Sequence, residues 1–278
     1  MPTSLPSSAR RLITPIAGLV LGLWAQMSSA TVTGIGVVAD PCAGVPITPT
    51  AAHKATSDWY GSWMQEWLGA DWGQRCRYHG ENALLPKASA RRVVFLGDSI
   101  TEGWKEQVPR FFSADVLDRG IGGQTTDQML VRVQADVLDL HPAVVHIMAG
   151  TNDVAGNRGP TTVAQIESNL QSLINQSRHA HIRVVIGSIP PAARFSWSPV
   201  EHVPDTIRTI NAWLRNYADH NGLVYVDYYS ALADAEGGLR HEYSEDGVHP
   251  NLAGYAVMQP LAQAAIDRAL AQGRARAR

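Results

Sequence analysis

A chain of 278 residues with 45% hydrophobic and 17% charged side chains can bury one sizeable core plus an extension. A formal net charge of −2 excludes the strongly basic surface that nucleic-acid binding needs, and two cysteines are too few for a cysteine-rich zinc centre. The basic cluster Arg274-Ala275-Arg276-Ala277-Arg278, within the tail 273–278, reads as a solvated end.

In chain order, the first predicted element is an export signal over residues 1–30. Arg10 and Arg11 precede the apolar stretch 12–24, and Ser28-Ser29-Ala30 offers small residues to a cleavage enzyme. The stretch is 13 residues long and contains Pro15. Crossing a bilayer takes about 20, so a cleaved signal is favoured over an uncleaved anchor. The expected location is a periplasm or the extracellular medium, with no transmembrane span in the mature chain.

Residues 31–55 are rich in Gly, Pro, Thr, Val and Ala and read as a linker or loosely packed arm. In an exported chain the even pair Cys42 and Cys76 points to one disulfide pinning the extension 31–90, worth about 3 kcal/mol. Two unpaired thiols are the alternative. Trp59, Trp63 and Trp67 recur every four residues, with Trp72 beyond, which puts three indoles on one helical face. Such a face either binds a ligand or, as aromatic stripes usually do, packs onto the rest of the protein.

From residue 91 short apolar runs alternate with amphipathic stretches. Strands are predicted over 93–96, 115–117, 143–148, 182–186 and 223–226, and helices over 102–112, 126–138, 163–177, 205–220 and 252–271. Ile166, Leu170 and Ile174 mark one face of the third helix, and Ile207, Ile210 and Leu214 one face of the fourth. The expected fold is α/β: a three-layer α/β/α sandwich with a five-stranded parallel sheet and an N-terminal extension. Such sheets bind ligands outside the carboxyl ends of their strands.

Four blocks fall at such ends. Gly97-Asp98-Ser99 can place a hydroxyl between a buried strand and a helix. Ser99-Ile100-Thr101-Glu102 equally fits a capping box, and the second glycine of the G-x-S-x-G elbow is missing. Arg119-Gly120-Ile121-Gly122-Gly123-Gln124-Thr125-Thr126 lets backbone N–H groups approach a ligand, or simply turns strand into helix. It lacks the endings of nucleotide and dinucleotide loops. Ala149-Gly150-Thr151-Asn152-Asp153 can aim an amide donor at a developing negative charge or close the strand as an Asx turn. In Asp246-Gly247-Val248-His249-Pro250-Asn251, Asp246 can accept the Nδ1 proton of His249 and leave Nε2 facing the serine. A nucleophile, a base and an orienting acid are therefore all present.

The four blocks in this order resemble the SGNH/GDSL hydrolases over residues 91–271, with Ile100 where the name-giving pattern has leucine. In motif style they are most similar to the platelet-activating-factor acetylhydrolase and lysophospholipase-like branch. The resemblance implies the flavodoxin-like fold of that family over 91–272. It implies Ser99 as nucleophile, His249 as general base and Asp246 as its orienting acid. The oxyanion hole would be the Ser99 and Gly123 N–H groups with the Asn152 side chain; Gly122 stays possible. The implied protein is an exported serine esterase acting on short acyl esters, with no metal or organic cofactor. Its substrate would be a small-molecule, lipid or glycan ester. A carbohydrate O-acetylesterase or O-acyltransferase is the alternative, and a non-catalytic carbohydrate- or lipid-binding surface protein a more distant one.

Outside the blocks, Phe195 and Trp197 lie in an exposed-looking loop, Pro190-Pro191-Ala192-Ala193-Arg194-Phe195-Ser196-Trp197, where they either anchor the loop by their rings, as aromatics usually do, or flank the acyl or alcohol group. Asp98 and Asp153 read as loop-holding hydrogen-bond acceptors. His179 and His181 read as a solvated helix end, not as metal ligands.

Overall fold

The computed structural model describes residues 37–55 and 57–276, and the side chains of Trp59 and of residues 273–276 are outside that description. The expected export signal and the end of the basic tail lie outside the described residues.

The described chain runs α1 (Ala51–Lys54), α2 (Trp59–Ala70), α3 (His79–Ala83), β1 (Val93–Gly97), α4 (Ser99–Gln107), β2 (Val116–Gly120), α5 (Thr126–Asp136) and β3 (Val144–Met148). It continues α6 (Thr151–Val154), α7 (Val163–His179), β4 (Arg183–Gly187), α8 (Val203–Asn221), β5 (Val224–Val226), α9 (Tyr228–Leu232) and α10 (Leu252–Arg276). The five strands pair in parallel in the order β2-β1-β3-β4-β5.

Short, mainly apolar runs form β1, β3, β4 and β5 because both faces of the sheet are covered. Alternate side chains go to opposite faces. Val94, Leu96, Val145, Ile147, Val184 and Ile186 pack with α5, α7 and α8. Val93, Phe95, Val144, Val185 and Val224 pack with α4, α9 and α10. The strand order reverses at β1, so the crevice between the ends of β1 and β3 is the place where such a sheet takes a ligand. Gly97 pairs with Gly120 on one side and Met148 on the other, which brings the first three blocks to that one edge.

Two boundaries differ from expectation for physical reasons. β2 continues past 117 through Asp118, Arg119 and Gly120. Arg119 is satisfied by partners remote in sequence: its guanidinium lies 4.5 Å over the Tyr78 ring and donates to Asn82 Oδ1 at 2.7 Å. The helix expected over 102–112 starts earlier and stops at Gln107, and Pro109 opens a separate turn of 3-10 helix. The remaining boundaries shift by a few residues, the largest shift being α10, which runs on to Arg276.

Asp118 is buried and accepts the Gly120 N–H at 2.7 Å. Burial, only partly offset by that hydrogen bond, pushes its carboxyl up from 3.8 to about 7. Between these values the folded chain keeps a proton that the unfolded chain has released. Its contribution to stability therefore falls as pH rises through that window and is level above it. Asp118→Asn retains an oxygen for the Gly120 N–H. In urea unfolding it is expected to lose less stability than the wild type between about pH 4 and about pH 7. Equal pH slopes in the two proteins would contradict this.

Cys42 and Cys76 are disulfide-bonded, with Cα atoms 5.3 Å apart. Trp63 and Trp67 stack at 5.3 Å and pack with Val45, Cys76, Tyr78 and Ile121. Trp63 Nε1 donates to the Pro46 carbonyl at 2.7 Å. These two indoles are mostly buried against the arm and the glycine block, while Trp72 is exposed. No helix among the described residues is long and apolar enough to cross a membrane.

Candidate active site

Asp98, not Ser99, caps α4: its side chain accepts the Ile100 N–H at 2.9 Å. The capping-box reading of Ser99 and Glu102 is thereby corrected. As the first helical residue, Ser99 keeps its hydroxyl out of the cap, and its N–H has no preceding turn to donate to. Ser99 Oγ lies 2.9 Å from His249 Nε2. Glu102 reaches across instead, accepting the Gly122 N–H at 2.8 Å and meeting Arg77 at 3.4 Å.

The glycine block stands against α4 because Gly120 permits it. A Cβ there would fall 2.2 Å from the Glu102 nitrogen. The Tyr78 hydroxyl donates to the Gly120 carbonyl and holds this edge from the extension. Gly123 has φ +75°, a conformation that L side chains rarely adopt. The Gly122 N–H is engaged by Glu102, whereas that of Gly123 has no acceptor among the described residues. Of the two glycines left open by the sequence, Gly123 has the available donor.

On the far side, His249 Nδ1 lies 2.6 Å from Asp246 Oδ2. Asp246 Oδ1 accepts the N–H groups of Val248 at 2.9 Å and His249 at 2.8 Å. Burial works upward on this carboxyl. Hydrogen bonds from the His249 ring and the two N–H groups outweigh it and hold it at about 2. Asp246 is thus an anion at neutral pH, which places the imidazole proton on Nδ1 and leaves Nε2 as the acceptor facing Ser99.

The two halves of this chain come from segments 150 residues apart. They are joined by Tyr255, in the first turn of α10, whose buried hydroxyl donates to the Ile100 carbonyl at 2.8 Å. Tyr255→Phe is expected to lower stability by about 1 kcal/mol, one neutral hydrogen bond. It should also reduce kcat a few-fold, because His249 loses its tether to α4. Urea unfolding and steady-state kinetics check both, and an unchanged kcat would show that the tether does not position the imidazole.

Asn152, buried in α6, donates from Nδ2 to the Gln124 carbonyl at 3.0 Å, leaving its second amide hydrogen for another acceptor. Its Oδ1 accepts from Asn157 Nδ2 at 2.6 Å. Asp153 accepts the N–H and hydroxyl of Thr126 at 3.0 and 2.6 Å, fastening the third block to the second. Burial pushes Asp98 and Asp153 each up to about 6. Both hold loops, as their sequence contexts imply.

Phe195 requires correction: only 3% exposed, it belongs to the core and presents no surface to a substrate. Trp197 is 46% exposed and stacks near the His249 ring at 6.1 Å. His179 and His181 are exposed. Among the described residues no group of three or more His, Cys, Asp or Glu side chains gathers as a metal site would require.

Sequence reasoning missed Asn157, Tyr255, Arg132 and the true role of Glu102. Asn157 sits between Gly156 and Arg158, where asparagine reads as an ordinary turn residue. Arg132 and Tyr255 lie on helix faces where only a tertiary partner reveals their use.

Residues 95–257 match the GDSL-like lipase/acylhydrolase family. A candidate acylhydrolase of known structure from Bacteroides fragilis is 43% identical, covers 72% of this chain and 99% of its own, and superimposes with a TM-score of 0.71. Esterase TesA from Pseudomonas aeruginosa is 29% identical over 189 residues, 61% of this chain and 85% of that protein. The uncharacterized lipoprotein YqeF from Bacillus subtilis is 38% identical over 129 residues, 45% of this chain, and the chain spans only 44% of the length of that protein. The family match, and the near-complete coverage of the Bacteroides protein at that identity, mean that the chain belongs to the GDSL-like lipase/acylhydrolase family of carboxylic ester hydrolases.

Proposed function

We propose that this protein is an exported serine esterase that hydrolyses short-chain acyl esters through an acyl-serine intermediate. The observation that carries the proposal is the continuous line from Ser99 Oγ to His249 Nε2 at 2.9 Å and from Nδ1 to Asp246 at 2.6 Å. Ser99 Oγ attacks the ester carbonyl while His249 takes its proton, and the Asp246 carboxylate stabilises the imidazolium. The tetrahedral oxyanion receives the N–H groups of Ser99 and Gly123 and the spare Nδ2 hydrogen of Asn152. Each such donor is worth about 2.7–4 kcal/mol of barrier. His249 then protonates the departing alcohol and activates the water that frees the acid from Ser99. No metal or organic cofactor takes part in this path.

A cleft of about 300 Å³ opens beside Gly122, lined among others by Tyr60, Trp63, Arg77, Glu102 and Ile121. It is suited to the alcohol half of the ester, with the exposed Trp197 ring walling the His249 side. The cleft is largely apolar, but Arg77, Glu102 and Glu106 also line it and can hydrogen-bond a polyhydroxy alcohol, so a carbohydrate O-acetylesterase or an O-acyltransferase on the same triad is the second reading. The N-terminal signal pattern, the disulfide and the similarity to a lipoprotein support export to an oxidising compartment.

The test is a panel of p-nitrophenyl esters of increasing chain length, run beside acetylated xylan, acetylated peptidoglycan and a lysophospholipid. Turnover should be highest for acetate and fall as the chain lengthens. Faster turnover of long chains would contradict the short-acyl assignment, and no turnover of any ester would contradict the esterase.

A further inference from the structure

We propose that Asn157 is a positioning residue that sets the orientation of the Asn152 amide and links it to Trp197 beside His249. The proposal rests on the reading of Asn152 as an oxyanion-hole donor and extends it.

A side-chain amide has two orientations related by a half-turn, and only its partners select one. Three hydrogen bonds make that selection here. Trp197 Nε1 donates to Asn157 Oδ1 at 2.9 Å. Asn157 Nδ2 donates to Asn152 Oδ1 at 2.6 Å. Asn152 Nδ2 donates to the Gln124 carbonyl at 3.0 Å. The two ends are unambiguous, because an indole N–H can only donate and a backbone carbonyl can only accept. Both amides between them are therefore polarised in one sense. The Asn157 N–H also donates to the Asn152 carbonyl at 3.0 Å, which fixes the spacing of the two side chains.

The outer end of this line is anchored. The Trp197 ring packs 5.3 Å from buried Phe195, and the neighbouring Ser198 hydroxyl donates to the Ala155 carbonyl at 2.7 Å. The same ring lies 6.1 Å from that of His249, with planes 30° apart. One side chain, Asn157, thus joins the wall over the general base to the amide proposed for the oxyanion. This assigns Phe195 a role consistent with its burial: it supports Trp197 from beneath.

Asn157→Asp retains an acceptor for Trp197 but sets a carboxylate oxygen against Asn152 Oδ1. The Asn152 amide must then either turn its Nδ2 away from the hole or suffer repulsion. Asn157→Leu removes both hydrogen bonds without adding charge, and Trp197→Phe removes only the outer donor. The experiment measures kcat and KM for p-nitrophenyl acetate, each rate divided by the fraction of protein that reacts with an active-site phosphonate, so that misfolded material is not counted. Asn152→Ala is expected to lose about 10²–10³-fold in kcat, as loss of one oxyanion donor does. Asn157→Asp and Asn157→Leu should each lose roughly 10- to 100-fold, with KM within about two-fold of wild type. Trp197→Phe should lose less than either. The double variant Asn152→Ala/Asn157→Asp should be no slower than Asn152→Ala alone, since Asn157 acts only through that amide.

If Asn152→Ala is slow but both Asn157 variants match the wild type, the positioning role is wrong and the oxyanion reading stands. Additive losses in the double variant would also overturn it. If Asn152→Ala itself keeps full kcat, the underlying reading fails.

Discussion

Ser99→Ala is expected to lower kcat/KM for p-nitrophenyl acetate by roughly 10⁴-fold or more, the scale seen when a serine nucleophile is removed from a triad. In the proposed mechanism the Ser99 hydroxyl is the group that becomes covalent with the acyl carbon. His249, Asp246 and the donors of the hole remain, so a slow residual reaction above the rate in water is expected. Because Asp98 and not Ser99 caps α4, the substitution should leave the melting temperature nearly unchanged. The loss is then chemical and cannot be assigned to unfolding. A Ser99→Ala protein within ten-fold of wild type would mean that ester turnover proceeds elsewhere.

Arg132→Met is the second large effect, and it falls on stability. Arg132 and Asp136 are fully buried and paired at 3.1 Å. The guanidinium also donates to the Gly97 carbonyl at 3.0 Å and to Gln124 Oε1 at 2.6 Å. It therefore bridges the end of β1, just before Ser99, to the glycine block. Methionine fills much of the same space but leaves Asp136 without a cation, with the Asn82 amide at 2.8 Å as its remaining side-chain donor. Breaking one partner of a buried pair costs about 3–5 kcal/mol, far more than the pair itself is worth. Urea unfolding should show a loss of that size. Adding Asp136→Leu should recover part of it, because the uncompensated charge is then gone. A loss below about 1 kcal/mol would show that water or a local shift solvates Asp136.

The sequence carried the sheet because strands buried on both faces are written as continuous apolar runs. β1, β3, β4 and β5 were legible on that ground. β2 was legible only in part: Asp118 and Arg119 extend it with polar side chains, and the partners of Arg119, Tyr78 and Asn82, are remote in sequence and marked by no local pattern. The four blocks were legible as chemistry, and the fold brings Ser99, His249 and Asp246 into hydrogen-bonding contact. Their supports were not. Ser99 and Glu102 spell a capping box as well as the proposed nucleophile and a brace, and the placement of Asp98 as the cap separates the two. Phe195 and Trp197 look alike in sequence, yet one is core and the other is surface. Asn157 has no periodicity or motif to mark it, since its meaning lies in two partners, Asn152 in α6 and Trp197 in the loop after β4.

The most direct test is covalent. A p-nitrophenyl alkylphosphonate mimics the tetrahedral intermediate and stays bound to a serine that attacks it. Peptide mass spectrometry of the treated protein should find one adduct, on Ser99, formed in step with loss of esterase activity and absent from Ser99→Ala. An adduct on another residue, or complete inactivation with Ser99 unmodified, would contradict the central claim that Ser99, activated by His249 and Asp246, carries the acyl group.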